Sequence, residues 1–154
     1  MLFHLISEGF GTEADIIKFD QLVTNAGEKE KILNSELEKN PRNIFLLWML
    51  LRFKIKSNPE DLKAIHELFK RATEEMCEGN HVGADIYKLI IDWAICYSKE
   101  HVPDYFAQAA FRSPPLIACE MRALHLCYLS SVCPNKPDLY RETYFKYTQY
   151  PPNR

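Results

Sequence analysis

The segment Leu47-Trp48-Met49-Leu50-Leu51-Arg52-Phe53 indicates the architecture of this chain, because its pattern returns further along. The pattern Trp48-x-x-Leu51-x-Phe53 recurs in similar form 39 positions later as Tyr87-x-x-Ile90-x-x-Trp93. The run Leu68-Phe69-Lys70-Arg71-Ala72 recurs in similar form 37 positions later as Tyr105-Phe106-Ala107-Gln108-Ala109. A weaker third copy, Tyr144-Phe145, follows another 39 positions on. Aromatic and small residues that recur at such an interval on helical spacing are typical of an α-helical solenoid.

Apolar stretches with helical periodicity, separated by Pro, Gly and Asn, divide the chain into eight predicted helices. They span 13–26, 28–39, 43–56, 59–77, 82–98, 102–111, 115–132 and 138–149. No stretch alternates with period two between turn residues, so no sheet is expected. Connections of a few residues favour antiparallel neighbours. We therefore predict an all-α fold in which antiparallel helix pairs stack as a right-handed solenoid.

The predicted organisation is one helical-repeat domain over residues 1–154. Leading helices occupy 1–39, the first repeat 40–77, the second repeat 82–111, and a divergent capping repeat 114–150. The abruptly apolar start is typical of a longer chain cut inside a helix. The alternative is a closed bundle of seven or eight helices without repeat symmetry.

Composition limits the classes of function. The chain has 154 residues, 47% of them hydrophobic, with 19 basic and 21 acidic residues and a formal net charge of -2. This balance lacks the strong positive field of a protein that holds nucleic acid unaided, although one basic stripe remains compatible with it. No apolar run reaches the roughly 18 residues of a membrane span, and the first residues lack the features of a secretory signal. An intracellular protein is expected.

Five cysteines occur without a C-x-x-C pair, and an odd number argues against a closed disulfide framework. We expect reduced, buried thiols, including that of Cys96 in the most apolar helix. His66-Glu67 begins like a zinc-protease motif, but Lys70 occupies the place of the second His. Cys127, Cys133 and His125 could bind zinc only with ligands from elsewhere, so structural thiols are favoured.

No constellation of residues indicates catalysis. The chain has no Gly-rich phosphate loop, and its paired acids fall at helix starts and on solvated faces. We predict a protein that is not an enzyme and uses no cofactor, metal or small-molecule substrate. The opposing hypothesis of a hidden enzyme requires a pocket that joins a Cys to a His at hydrogen-bond distance.

Over residues 40–110 the motifs resemble those of the HAT (half-a-TPR) repeat family. Asn40-Pro41 precedes Leu47-Trp48, and Leu68-Phe69-Lys70-Arg71-Ala72 follows on the second helix. The chain departs from the family pattern at Lys70, where Glu is usual, at Lys54, where an acid is common, at Tyr87, which replaces Trp, and at Gln108, which replaces Arg. Outside 40–110 the resemblance is thin.

The resemblance implies a TPR/HAT-like solenoid whose motif residues pack helices together. These residues are Trp48, Leu51, Phe53, Leu68, Phe69, Ala72, Tyr87, Ile90, Trp93, Phe106 and Ala109. HAT proteins act as scaffolds in RNA-processing assemblies, and this chain looks most like the C-terminal part of the HAT subunit of the small-subunit processome. The resemblance therefore implies a nuclear, nucleolar scaffold for pre-rRNA processing that binds other protein subunits. A scaffold of mRNA 3'-end processing or of splicing is the alternative.

Two groups of side chains are candidates for contact with partners. The first is a basic stripe on two adjacent helices, formed by Arg52, Lys56, Lys63, Lys70 and Arg71. Such a stripe could touch RNA phosphates or an acidic peptide, but a mixed, solvated face explains it more simply. The second is a set of aromatic residues on the last helix, chiefly Tyr140, Tyr144 and Tyr147. Some of these should be buried, and any that stay exposed would mark a docking site for a protein partner.

Overall fold

The computed structural model describes residues 26–76, 82–132 and 134–150. Of these residues 86% are helical, and none lies in a strand. The predicted all-α fold is therefore confirmed over the described part of the chain. The chain divides into two compact units, Met1–Met76 and Cys77–Arg154. Among the described helices, none combines the length and apolar character that crossing a membrane requires.

The first unit contains helices α1 (Ala26–Lys39), α2 (Ile44–Ser57) and α3 (Leu62–Glu74). Helix α2 packs against both of the others, which explains why seven of its side chains are buried and why its sequence is almost wholly apolar. Asn43 caps its start, because the side-chain oxygen accepts the backbone N–H of Leu46 at 3.1 Å. The helix predicted over 13–26 lies outside the described residues, apart from its last position.

Helix α3 begins later and ends earlier than the predicted span of 59–77. The carbonyl of Asn58 accepts the backbone N–H of Asp61 at 3.2 Å, so Pro59 and Glu60 form a turn rather than a first helical turn. Asp61 is the residue that caps the helix, and its carboxylate accepts the N–H of Ala64 at 3.3 Å. The predicted helix start at Pro59 was therefore wrong.

The second unit contains α4 (Val82–Tyr97), a 3-10 turn at Lys99–His101, α5 (Val102–Arg112), α6 (Pro115–Val132) and α7 (Pro137–Gln149). Helix α6 contacts α4, α5 and α7, and α5 also contacts α4. The interior of this unit is apolar, and burial raises the pKa of the Tyr87 phenol to about 12. Lys88 of α4 donates to Glu120 of α6 at 2.6 Å, and this hydrogen bond raises the pKa of the lysine.

The motif residues of the repeat differ in how deeply they lie. Leu51, Phe69 and Ala72 are buried in the first unit, and Tyr87, Ile90, Trp93, Phe106 and Ala109 are buried in the second. Trp48, Phe53 and Leu68 are only half-buried. The ring of Trp48 lies 6.3 Å from that of Phe45 on its own helix, so it fills less of the interior than the motif implies. The stacking of helix pairs into a solenoid stays a prediction.

Replacement of each tryptophan by alanine should show, in the free energy of unfolding, that the ring of Trp93 is more deeply buried than that of Trp48. Trp93 is 4% exposed, so Trp93→Ala should lower the free energy of unfolding by about 3 to 5 kcal/mol. Trp48→Ala should cost about 1 to 2 kcal/mol, because part of that ring already faces water. Urea titration followed by circular dichroism measures both. Equal losses for the two variants would contradict the difference in packing.

Candidate functional site

The cysteines do not lie where the sequence placed them. Cys96, Cys119 and Cys127 are free thiols with exposed side chains, so the expectation of buried thiols was wrong for all three. The reason is the phase of each helix. On α6, Ile117, Ala118, Met121 and Leu129 take the inner positions, which turns Cys119 and Cys127 outward. Cys77 and Cys133 lie outside the described residues.

One contact in the second unit pairs a hydroxyl with a histidine, as a catalytic site would. The Oγ of Ser98 lies 2.6 Å from Nδ1 of His101 and 3.3 Å from a carboxylate oxygen of Glu100. In a hydrolytic triad the acid and the nucleophile bind opposite ring nitrogens, whereas here Glu100 also approaches Nδ1, at 3.5 Å. Ser98 is only 2% exposed, so no substrate can reach it. We therefore interpret the contacts among these three residues as part of the turn that joins α4 to α5.

The basic stripe lies on α2 and α3, but acids divide it. Lys56, Lys63, Lys70 and Arg71 are exposed, and Arg52 is half-buried. Exposed Glu67 stands four residues after Lys63, and exposed Glu74 four after Lys70, which is the spacing at which opposite charges neighbour each other on a helix. Lys54 forms an ion pair with Asp61 at 3.7 Å. The surface is therefore one of mixed sign.

Of the aromatic residues on helix α7, one faces the interior of the unit and the others are exposed. Tyr147 is half-buried, and its ring centroid lies 5.7 Å from that of Phe111 on α5 and 5.8 Å from that of His125 on α6. Tyr144 and Phe145 are 54% and 63% exposed. The large apolar side chains that are exposed over residues 137–150 form what we call the α7 aromatic set. It consists of four rings, those of Tyr140, Tyr144, Phe145 and Tyr150, together with Leu139. Tyr147 is thus no free contact for a partner, while Tyr140 and Tyr144 are.

Arg122 of α6 holds the two neighbouring helices beside it. The residue is only 7% exposed, its Nε donates to the carbonyl of Ala110 at 3.0 Å, and its Nη1 donates to the carbonyl of Tyr147 at 3.1 Å. The guanidinium carbon lies 5.0 Å from the ring centroids of both Phe111 and Tyr147. Carbonyl dipoles and aromatic faces are both attractive to a cation, so they stabilise this buried charge.

Two prolines explain why those carbonyls need a donor from elsewhere. In a continuing helix each carbonyl accepts the N–H four residues on, but Pro114 stands four after Ala110 and Pro151 four after Tyr147. Proline also disfavours a helical residue before it, and Ser113 is extended with ψ 163°. Arg122 supplies the missing donors at the negative ends of α5 and α7.

His125 completes the cluster one turn after Arg122. Its ring stacks on Phe106 with centroids 4.3 Å apart and planes inclined by 14°, and Nδ1 shares a hydrogen bond with the hydroxyl of Tyr147. Burial lowers the pKa of His125 to about 4 and raises that of Tyr147 to about 12. Both side chains are therefore neutral near pH 7. Among the described residues, no group of three or more His, Cys, Asp or Glu could hold a metal ion.

Comparison of the chain with protein-family models, with curated proteins and with solved structures found no match.

Sequence reasoning did not single out Arg122, and it considered His125 only as a zinc ligand. The sequence shows that Arg122 is one of two charged residues in α6. It does not show that this position faces inward, because the helix is apolar on most sides.

Removal of the guanidinium should destabilise the second unit strongly. Arg122→Met leaves two helix-terminal carbonyls without their donor and should lower the free energy of unfolding by about 3 to 5 kcal/mol. Arg141→Met is the matched control, since Arg141 is exposed on α7 and only 3.9 Å from Asp138, so its loss should cost less than about 1 kcal/mol. Chemical denaturation compares the two. A loss for Arg122→Met no greater than that of the control would refute the role of the guanidinium.

Proposed function

We propose that this chain is a non-catalytic scaffold that binds other protein subunits of a nuclear RNA-processing assembly. The α7 aromatic set is the observation that carries the proposal. Tyrosine and phenylalanine are enriched at the centres of protein interfaces, because a rigid ring buries a large area at a small entropic cost. Tyr144 and Phe145 keep more than half of their surface exposed although the inner side of the same helix packs on α5 and α6.

The amount of exposed aromatic surface is suited to an anchor of an interface. If each ring presents about 200 Å² when free, the four rings of the α7 aromatic set leave roughly 400 Å² exposed. One partner in a standard protein interface buries about 800 Å². The set would therefore supply about half of one side of such an interface.

The resemblance to HAT repeats supports the setting of the proposal. HAT proteins serve RNA-processing particles, so pre-rRNA processing and biogenesis of the small ribosomal subunit, in the nucleolus, are the setting that we propose first. Scaffolding in mRNA 3'-end processing or in splicing is the alternative setting. The Ser98–His101 contact is compatible with a non-catalytic role, because its hydroxyl is closed to substrate.

The α7 aromatic set should be needed for binding to partner proteins but not for folding. The double variant Tyr144→Ser/Phe145→Ser should weaken binding of the protein to its assembly by about 30-fold or more, since the loss of a single anchor residue costs at least about 2 kcal/mol. Its unfolding curve should stay close to that of the wild type, because both side chains are exposed.

Affinity purification with quantitative mass spectrometry measures this effect, with Leu62→Ser as the matched control. Leu62 is a large apolar side chain exposed on the first unit, so its replacement should leave the bound proteins unchanged. Copurified proteins from an RNA-processing particle that disappear only in the double variant are the expected result. A set of partners without RNA-processing proteins, or one that both variants retain, would overturn the proposal.

Direct binding of RNA through the basic stripe is the rival function. The exposed positions Lys56, Lys63, Lys70 and Arg71 favour it, and the interleaved Glu67 and Glu74 oppose it. We expect the isolated chain to bind single-stranded RNA no better at 50 mM salt than a protein of equal net charge. Filter binding tests this expectation. Tight binding that weakens steeply with salt, and that is lost when Arg52, Lys56, Lys63 and Arg71 are reversed in charge, would establish the rival instead.

A further inference from the structure

Helix α7 is seated shallowly on the second unit. It has 13 residues, yet none of its side chains is buried. Its Tyr147 contacts both α5 and α6, because the ring lies near Phe111 and His125 and the carbonyl accepts a hydrogen bond from Arg122. Lys146 adds an ammonium 5.1 Å from the ring centroid of Phe111. Because no side chain of α7 is fully buried, a change at one contact can shift the equilibrium between docked and undocked α7.

His125 is the titratable side chain at the centre of these contacts. Helix α5 presents to it the apolar ring of Phe106, its own helix contributes Arg122 one turn before, and α7 contributes Tyr147 with Lys146 beside it. The charged groups that contact the neighbouring rings of Phe111 and Tyr147 are Arg122 and Lys146, which are both cations. Within the described residues, no carboxylate forms a hydrogen bond or ion pair with His125 or Arg122.

A proton on His125 would disturb this arrangement. It would place a positive charge in a partly dehydrated site where no carboxylate balances it. It would also make Nδ1 a donor, so the hydroxyl of Tyr147 would have to accept this hydrogen bond instead of donating one. Undocking α7 relieves the cost of the buried charge, because the imidazolium then faces water.

We propose that α7 is an acid-sensitive latch, and that protonation of His125 releases it from α5 and α6 and exposes the rings of Phe111, His125 and Tyr147. The proposal concerns the inner side of α7 and does not rest on the scaffold function.

The direction of the pH dependence follows from the pKa of His125. Burial lowers this pKa from 6.5 to about 4, so docking is fully favoured above pH 6.5 and is weakened as the pH falls through 6.5 toward 4. If the undocked imidazole has its ordinary pKa, the docking equilibrium at pH 5 should be weaker by up to about 30-fold than at pH 7.5.

Nuclear magnetic resonance of the full chain between pH 7.5 and 4.5 tests the latch. We expect the amide resonances of residues 137–149 to move toward unstructured positions, with the same midpoint as the His125 ring, while those of α4 stay in place. His125→Gln keeps a polar side chain that takes up no proton, and it should abolish the transition. His66→Gln, at an exposed position of α3, is the matched control and should leave it unchanged.

A second variant keeps the test decisive if His125→Gln does not fold. Tyr147→Phe retains the ring but loses the hydroxyl that contacts His125, so docking should be weaker and the midpoint should move to higher pH. The proposal is overturned if His125 titrates near 6.5 without movement of α7, if α7 undocks equally in His125→Gln, or if Tyr147→Phe leaves the midpoint where it is.

Discussion

The position of the last three helices depends on a buried guanidinium. Arg122 sits in the middle of α6 and donates to the final turns of both α5 and α7, while Phe111 and Tyr147 cover it from two sides. A buried cation is costly unless its donors are satisfied and its charge is balanced. Here the negative ends of two helices and two aromatic faces provide that balance, and the planar fork of arginine can serve both carbonyls at once.

The geometry around Arg122 also fixes which side of α7 faces water. Tyr147 must point inward to cover the guanidinium and to meet His125. Since residues on one helix keep a fixed angular relation, this choice turns Phe145 away from the unit and leaves Tyr144 largely exposed. The proposed docking surface is therefore a consequence of internal packing. The inner contacts set its orientation, and the proposed latch would set whether that orientation persists.

Much of the fold could be predicted from the sequence, because its helix boundaries are marked by local chemistry. Proline and asparagine delimit α6 and α7 within a residue of the predicted ends, and Asn43 caps α2 next to the predicted start. Prediction was poorer where local signals compete. Pro59 offered a helix start, but the better cap at Asp61 displaced it by three residues.

The site was harder to predict, because its key contacts join residues far apart in the chain. In helices as apolar as α4 and α6, hydrophobic periodicity does not say which side is outside, and so Cys96, Cys119 and Cys127 were assigned to the interior. An arginine on a helix is ordinarily expected in water. Its burial depends on two helix ends that only the tertiary structure brings to it, 12 and 25 residues away in sequence.

Chemical cross-linking of the protein inside its native assembly tests the proposed scaffold role most directly. Lys136 precedes the α7 aromatic set and Lys146 lies within it, while Lys63 and Lys70 mark the exposed surface of the first unit. If α7 docks a partner, mass spectrometry should find Lys136 and Lys146 joined to another protein subunit, with few such links from Lys63 and Lys70. Cross-links from Lys136 and Lys146 that stay within the chain, together with links from Lys63 and Lys70 to RNA or to a partner, would contradict it.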